Sequence, residues 1–370
     1  MSRTERPYSQ FKGMMAIVKA SFRAQLKSPM AFVFSFFFPL FFILIFGSSR
    51  NNVPAVRITI DPSSDTTNVI YKQLRSFPNI IVQKAGNMEQ VRDSLEKGRI
   101  TAIVTLQKDT AQNGPVHIKV QSSLASQDRV GMLNGFLFGI MYQVNLNSPN
   151  GKASAVGIVE PAPPVGSRKY KAIDFVLPGQ LGFSLLSAGL FGLAFLFFGL
   201  RETLVLKRLN ATPIRRPYII LGEALARIFF QMVIISTIIL LGKQFFGFTL
   251  VHGAATFIQL LVLSFVGLMV FMGFGFVISG LSKSMNSVPV FTNLLGFPQF
   301  MLSGTFFPYE SLPKFLHPLC KILPLTHLNT ALRKISFEGL TLASCLPELA
   351  ILGAWAILLY ALSFKVFKWE

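Results

Sequence analysis

The stretch Arg201–Pro217, RETLVLKRLNATPIRRP, is a short basic island between two long apolar runs. Ahead of it, Val176–Leu200 holds no charged residue; behind it, Tyr218–Leu241 is nearly as apolar. Two such runs joined by seventeen polar and basic residues do not pack as a soluble α/β domain. They read as two membrane helices whose connection faces the cytoplasm and presents a small amphipathic helix there.

The composition of the whole chain agrees with that reading. Only 14% of the 370 residues are charged and the mean hydropathy is +0.53, whereas soluble domains carry about 25% charged residues. Lys and Arg gathered in cytoplasmic loops beside anionic lipid account for much of the formal charge of +19, so by default it is not a nucleic-acid footprint. Cys320 and Cys345 supply no metal or redox framework, and nothing in their spacing requires them to pair. No cleavable leader is expected, because 29 residues precede the first apolar run and no A-x-A site follows it.

N-terminal to the island, residues 1–29 form a cytoplasmic segment with an amphipathic helix over 10–28. Phe11, Met14, Met15, Val18, Phe22 and Leu26 recur at helical spacing, while Lys12, Lys19, Arg23 and Lys27 share another face. Such a helix lies in the membrane interface. Pro29 then breaks it, and residues 30–48 make the first span, kinked at Pro39, whose freed carbonyl a neighbouring helix can satisfy.

Residues 49–171 change character. From 50 to 171 there are 15 Lys/Arg and 8 Asp/Glu, with alternation of the soluble kind. The pattern predicts strands at 56–60, 80–84, 101–106 and 116–121, and helices at 65–76, 87–97 and 127–145. Asn87 caps the second helix, with Gln90 three residues on. This β-α-β-α-β-β-α order suffices for a small α/β domain. Pro161–Pro164 and Gly166 read as the linker back to the membrane.

Residues 172–370 hold five further spans: Phe175–Leu200, Tyr218–Leu241, Ala254–Leu281, Val288–Leu302 and Leu349–Phe367. Glu223 and Arg227 sit on the third span of the chain, because starting it at Ile228 leaves about 21 Å of helix, too short to cross. Their i,i+4 spacing, Glu first, permits an interfacial ion pair that orients the preceding loop, with gating as the alternative. Gly273, Gly275, Ser279 and Gly280 on the fourth span suit close helix packing. Residues 303–340, rich in proline yet apolar, read as an outer segment that dips back into the leaflet. With both ends inside, the inner segments carry 14 Lys/Arg against 5 on the short outer loops, which places residues 50–171 outside. His317, Cys320 and His327 could in principle bind a metal, and a proline-broken apolar segment with chance histidines explains them better. The fold class is thus a polytopic α-helical membrane protein of six transmembrane helices, with an α/β extracytoplasmic domain between spans one and two.

Three segments carry a family resemblance that covers nearly the whole chain. FRAQLKSPMAFVFSFFFPLFFILIFG, the run from DFVLPGQ through RETLVLKRLNATPIRRP to ILGEAL, and LSGTFFPYESLPKFLHPLCKILPLTHLNTALR resemble the first span, the coupling region and the re-entrant segment of six-span ABC exporter permeases of the type V fold. The large outer domain resembles that of the drug- and lipid-exporter branch. The resemblance implies that Arg201–Arg216 contains a coupling helix seated in a groove of a separate ATPase. Arg201, Glu202, Leu206, Lys207, Arg208, Leu209, Thr212 and Pro213 would make that contact, together with Leu204. The family has a Gly-Thr pair after the acidic residue; here Glu202 and Thr203 are followed by Leu204 and Val205. The resemblance also implies a dimer, homodimeric or with a paralogue, in which spans two and five line the path. They would offer Gln180, Ser184, Ser187, Thr292, Asn293 and Gln299, any of which can equally serve as helix–helix glue.

No G-x-x-x-x-G-K-[ST] occurs, so no cofactor is expected in this chain, and ATP and Mg would sit on the partner ATPase. The chain is expected to be a transport subunit rather than an enzyme, multi-pass in a bacterial inner membrane and in contact with membrane lipid. An amphipathic or lipid-like substrate suits the apolar path. A periplasmic partner would be reached through the outer domain in the alternative reading of a non-transporting machine acting on the cell envelope. The other alternative is a sensor with 50–171 as its ligand-binding module.

Overall fold

The computed structural model describes residues 9–47, 56–66, 69–77, 80–83, 87–96, 98–108, 116–146, 158–165, 171–309 and 312–366. The chain divides into two units, residues 51–171 and the remainder, 1–50 with 172–370.

The larger unit is helical. Helix α1 (Gln10–Leu26) starts at Ser9, whose side chain accepts from the amide of Lys12. Helix α2 (Pro29–Phe32), a π-helical turn (Val33–Phe37) and α3 (Phe38–Gly47) follow without a break. The inserted unit comes next in the chain, with strands β1 (Val56–Ile60), β2 (Ile80–Gln83), β3 (Ala102–Lys108), β4 (Val116–Ser123) and β5 (Ile158–Val165). Its helices are α4 (Val69–Ser76), α5 (Met88–Glu96) and α6 (Gln127–Leu146).

The insertion builds one sheet in the order β2-β1-β3-β4-β5, with β3 and β4 antiparallel and the other neighbours parallel. Strand periodicity sorts β3 between two cores. Ala102, Val104 and Leu106 pack with Ile70, Leu74, Leu133 and Leu137 of α4 and α6. Ile103 packs with Val91 and Leu95 of α5. One expectation fails: Pro161–Pro164 is not a linker but part of β5, parallel to β4. Proline lacks a ladder donor and is tolerated at a sheet edge, which is where β5 lies. Gly166 lies outside the described residues.

Back in the helical unit, α7 (Ala172–Leu186), a second π turn (Ser187–Gly192) and α8 (Leu193–Glu202) run as one helix of 31 residues. The remaining helices are α9 (Val205–Asn210), α10 (Arg216–Phe246), α11 (Ala254–Leu281), α12 (Ser287–Leu302), α13 (His317–Ile322), α14 (Pro324–Ser336) and α15 (Leu346–Val366). Among the described residues four helices are long and apolar enough to cross a membrane: Ala172–Glu202, Arg216–Phe246, Ala254–Leu281 and Leu342–Val366. Val33–Gly47 is apolar but shorter, and α12 has 16 residues, about 24 Å of rise.

The core of this unit forms around α7 and α11. Gly189 faces the backbone of Phe271 and Met272, and Gly275 faces the Gly189 carbonyl and Leu193. A Cβ at either glycine has no room, so these residues set how closely the two helices approach. Gly273 and Gly280 similarly face Leu359 and Val366 of α15. Pro39 has its expected consequence. The regular helical donor for the Ser35 carbonyl would be the N–H of residue 39, which proline lacks. The helix widens into the π turn there, and Ser184 Oγ of α7 donates to the Ser35 carbonyl at 2.6 Å. Gln231 Nε2 of α10 in turn donates to Ser184 Oγ at 2.7 Å.

The described residues of 303–340 include a 3-10 turn (Lys314–Leu316) leading into α13, with Leu323 alone between α13 and α14. Arg333 fastens them, donating to the carbonyls of Phe175 and Gly304 and stacking over the Phe175 ring at 3.8 Å. Lys334 pairs with Glu348 at the start of α15.

Candidate functional site

The joint between α8 and α10 is a tight reversal. Helix α8 stops at Glu202, where Thr203 Oγ1 donates back to the Gly199 carbonyl at 2.7 Å. Leu204 then takes φ 56°, a left-handed conformation that costs a residue with a Cβ about 1–2 kcal/mol and glycine very little. The turn lets the Leu204 carbonyl accept from the Arg208 amide at 3.0 Å and opens α9. Leu204 thus holds, with a side chain, a backbone conformation that favours glycine. Helix α9 ends at Asn210, and α10 begins at Arg216 with Pro217 in its first turn, where a missing N–H does no harm.

Two anchors hold this short helix in place. Ile214 and Ile219 are buried against Ile17 of α1, Leu200 and Tyr218. The Gln10 carboxamide makes a double contact: Nε2 donates to the Pro213 carbonyl at 2.7 Å, and Oε1 accepts from the Arg215 amide at 2.9 Å. Glu202, Lys207, Arg208, Thr212, Pro213, Arg215 and Arg216 are exposed. The side chains of Leu206 and Leu209 lie outside the described residues. Arg201 turns inward instead, donating to the Ser282 carbonyl at 2.6 Å at the C-terminus of α11 and lying over Phe198. A cation there complements the helix dipole, so Arg201 works as an anchor between helices.

Glu223 and Arg227 are both buried and, among the described residues, they do not form the ion pair that their spacing allows. Glu223 Oε1 accepts from Ser21 of α1 at 2.5 Å. Arg227 Nη1 donates to the Ala188 carbonyl at 3.2 Å, in the second π turn, beside Gly192, which leaves room for it. Each charge therefore ties α10 to a different neighbour. Gly222 brings α1 close, facing Ile17 and the Met14 carbonyl.

The six polar residues expected along a path differ in their surroundings. Gln180, Ser184, Ser187, Thr292 and Gln299 are buried within the single chain, and Asn293 is exposed. Ser184 belongs to the relay from Gln231 to Ser35, while Thr292 bonds back to its own helix at Val288. Gln180 is buried with neither amide atom partnered. His317 and His327 bond to the carbonyls of Leu312 and Lys321, and Cys320 and Cys345 are buried and not joined in a disulfide. Among the described residues no group of three or more His, Cys, Asp or Glu is placed to hold a metal.

Sequence reasoning missed Gln10, Ser21 and Gln231. Only Gln231 carried a signal, as a lone amide within an apolar run.

With this arrangement in view, residues 29–365 match the family described as ABC-2 family transporter protein. The chain belongs to the ABC-2 transporter family. It is 21% identical over 387 aligned residues to the probable multidrug ABC transporter permease YbhS of Escherichia coli K12, covering 98% of this chain and 97% of that one. It is 28% identical over 205 residues to ABC transporter G family member 20 of Dictyostelium discoideum. That match covers 55% of this ABC-2 protein and 26% of its relative, so the chain spans about a quarter of the length of that protein.

Proposed function

We propose that this ABC-2 protein is the membrane subunit of an ATP-driven exporter that moves an amphipathic or lipid-like substrate, drugs included, out across the cytoplasmic membrane. A separate ATPase subunit burns the nucleotide and holds ATP and Mg. In this reading six segments cross the bilayer, both ends and the 201–217 joint are cytoplasmic, and residues 50–171 are extracytoplasmic. Residues 29–47 form a continuous 19-residue helical run, about 28 Å of rise, which supports a first crossing. Two permease chains make one transporter, in a bacterial inner membrane. The multidrug relative that aligns along nearly the whole chain supports the substrate class.

The observation that carries the reading is the exposed, basic α9, fixed between two long helices by Ile214, Gln10 and Arg201. A lever that must pass motion from a partner into the membrane needs a free outer face and a rigid seat, and α9 has both. Replacing Leu206 and Leu209 together with Asp is expected to abolish ATPase association and transport in reconstituted vesicles, with membrane insertion unchanged. Full association and transport in that variant would remove α9 from the coupling role.

A further inference from the structure

A shallow groove of about 180 Å³ runs where the last turn of α1 meets the start of the first apolar helix and the middle of α10. Phe22, Leu26, Phe36, Val233, Ile234 and Thr237 line it. Its lining is apolar apart from the Thr237 hydroxyl, which is spent on the Val233 carbonyl of its own helix at 2.8 Å. Phe22 and Phe32 both pack edge-on to Phe230, at 6.1 and 5.4 Å, and fix the two walls. Leu26 and Val233 stay about half exposed (47% and 49%), so the groove opens sideways.

One row round on α1, Arg23 and Lys27 are exposed and make no ion pair among the described residues. They share the i,i+4 spacing of Phe22 and Leu26, so the basic row runs beside the apolar one. No acid competes for them from the neighbouring helices: α1 contains none, and the single acid of α10, Glu223, is buried against Ser21. By helical spacing a pair of exposed cations therefore stands one row from the apolar wall of the groove, at the point where Pro29 turns a polar helix into an apolar one. A diacyl phospholipid has that same order of parts.

We propose that this groove is a binding site for one anionic diacyl phospholipid, its phosphate held by Arg23 and Lys27 and one acyl chain laid along Leu26, Val233 and Thr237. The leaflet, the inner one, rests on the topology proposed above; the site itself does not. Lipid at this position ties α1, the first apolar helix and α10 together, further along α10 than the Ser21–Glu223 contact.

The test uses the full chain, purified with whatever subunits accompany it, stripped of lipid and offered dioleoyl phosphatidylglycerol or dioleoyl phosphatidylcholine in equal amounts before native mass spectrometry. One phosphatidylglycerol per chain is expected to survive, retained about 30-fold over phosphatidylcholine, from two cations near an anionic head group. Arg23→Ser with Lys27→Ser should bring the two lipids to parity. Lys12→Ser with Lys243→Ser, a loss of equal charge elsewhere, should leave the preference intact, and Val233→Trp should lose both lipids by filling the groove. Arg23 and Lys27 are exposed, so their variant keeps its packing even if the tryptophan variant does not fold. The site is overturned if the wild type retains neither lipid preferentially. It is equally overturned if the Arg23/Lys27 variant keeps its preference or the distant double variant loses as much. Because lipid retention is read without ATP, the Leu206/Leu209→Asp variant should still hold phosphatidylglycerol even if the exporter reading fails.

Discussion

The helix 172–202 and the helix 342–366 are alike as sequences: each is long, apolar and nearly free of charge at its centre. In the structure they have opposite lives. Of the most apolar window of each, 78% is buried in the first and 17% in the second. Residues of 172–202 meet α3, α10, α11 and the 303–340 segment, whereas α15 leaves Ile357, Leu358 and Phe364 facing away from the chain, Phe364 at 92%. Hydropathy reports that a helix prefers lipid to water. It does not report whether lipid or protein surrounds it, because the two are equally apolar. What separates the two helices is glycine placed against a neighbour: Gly179, Gly182, Gly189 and Gly192 of the first face Thr305, Asn329, Phe271 and Arg227, whereas Gly353, the one glycine of the second, faces open space.

The largest expected difference lies at Gly189, which faces the backbone of Phe271 and Met272. Gly189→Leu should cost at least about 3 kcal/mol, the upper end for overpacking, read as loss of the monodisperse, thermally stable protein in detergent. A tolerated leucine there breaks the contrast. Next is the relay: Ser184→Ala should cost about 1 kcal/mol, in the range of hydrogen bonds between membrane helices. Pro39→Ala returns the regular N–H donor to the Ser35 carbonyl, so Ser184→Ala in that background should cost close to nothing. An undiminished cost in the double-mutant cycle would mean that the proline is not why Ser184 matters. At the joint beyond α8, Leu204→Gly should stabilise by a net of about 0.5–1 kcal/mol once glycine's conformational entropy is set against the relieved strain, seen as slower hydrogen exchange of the Arg208 amide. The smallest effect belongs to the outward helix: Phe364→Ala should shift stability by less than about 0.5 kcal/mol. A shift of 2 kcal/mol or more would show that this face is covered in the assembled protein.

Legibility in the sequence follows the same line. Local signals worked: alternation placed β1–β4, Asn87 capped α5 through its contact with the Glu89 amide, and Pro29 separated α1 from the first apolar helix. The carbonyl left by Pro39 did find a partner on a neighbouring helix. Strand β5 was hidden because three prolines obscure a strand, and only its place at the sheet edge, a non-local fact, makes them acceptable. At the joint, the reversal was legible from charge and proline. The seat was not, since Gln10 reaches a loop 203 residues away and nothing near it in the chain marks that contact. Glu223 and Arg227 show the opposite error: an i,i+4 spacing permits a local pair, but tertiary neighbours offered each a better contact.

The bond between Ser184 and the Ser35 carbonyl joins residues 149 apart. During synthesis at about 5–20 residues per second, Ser35 leaves the ribosome roughly 7–30 seconds before its donor exists. For that interval the first helix holds an imperfect backbone with no neighbour to complete it, while the 51–171 unit is still being made. Assembly order is thereby written into the packing: the first helix cannot settle until the second has been delivered to it.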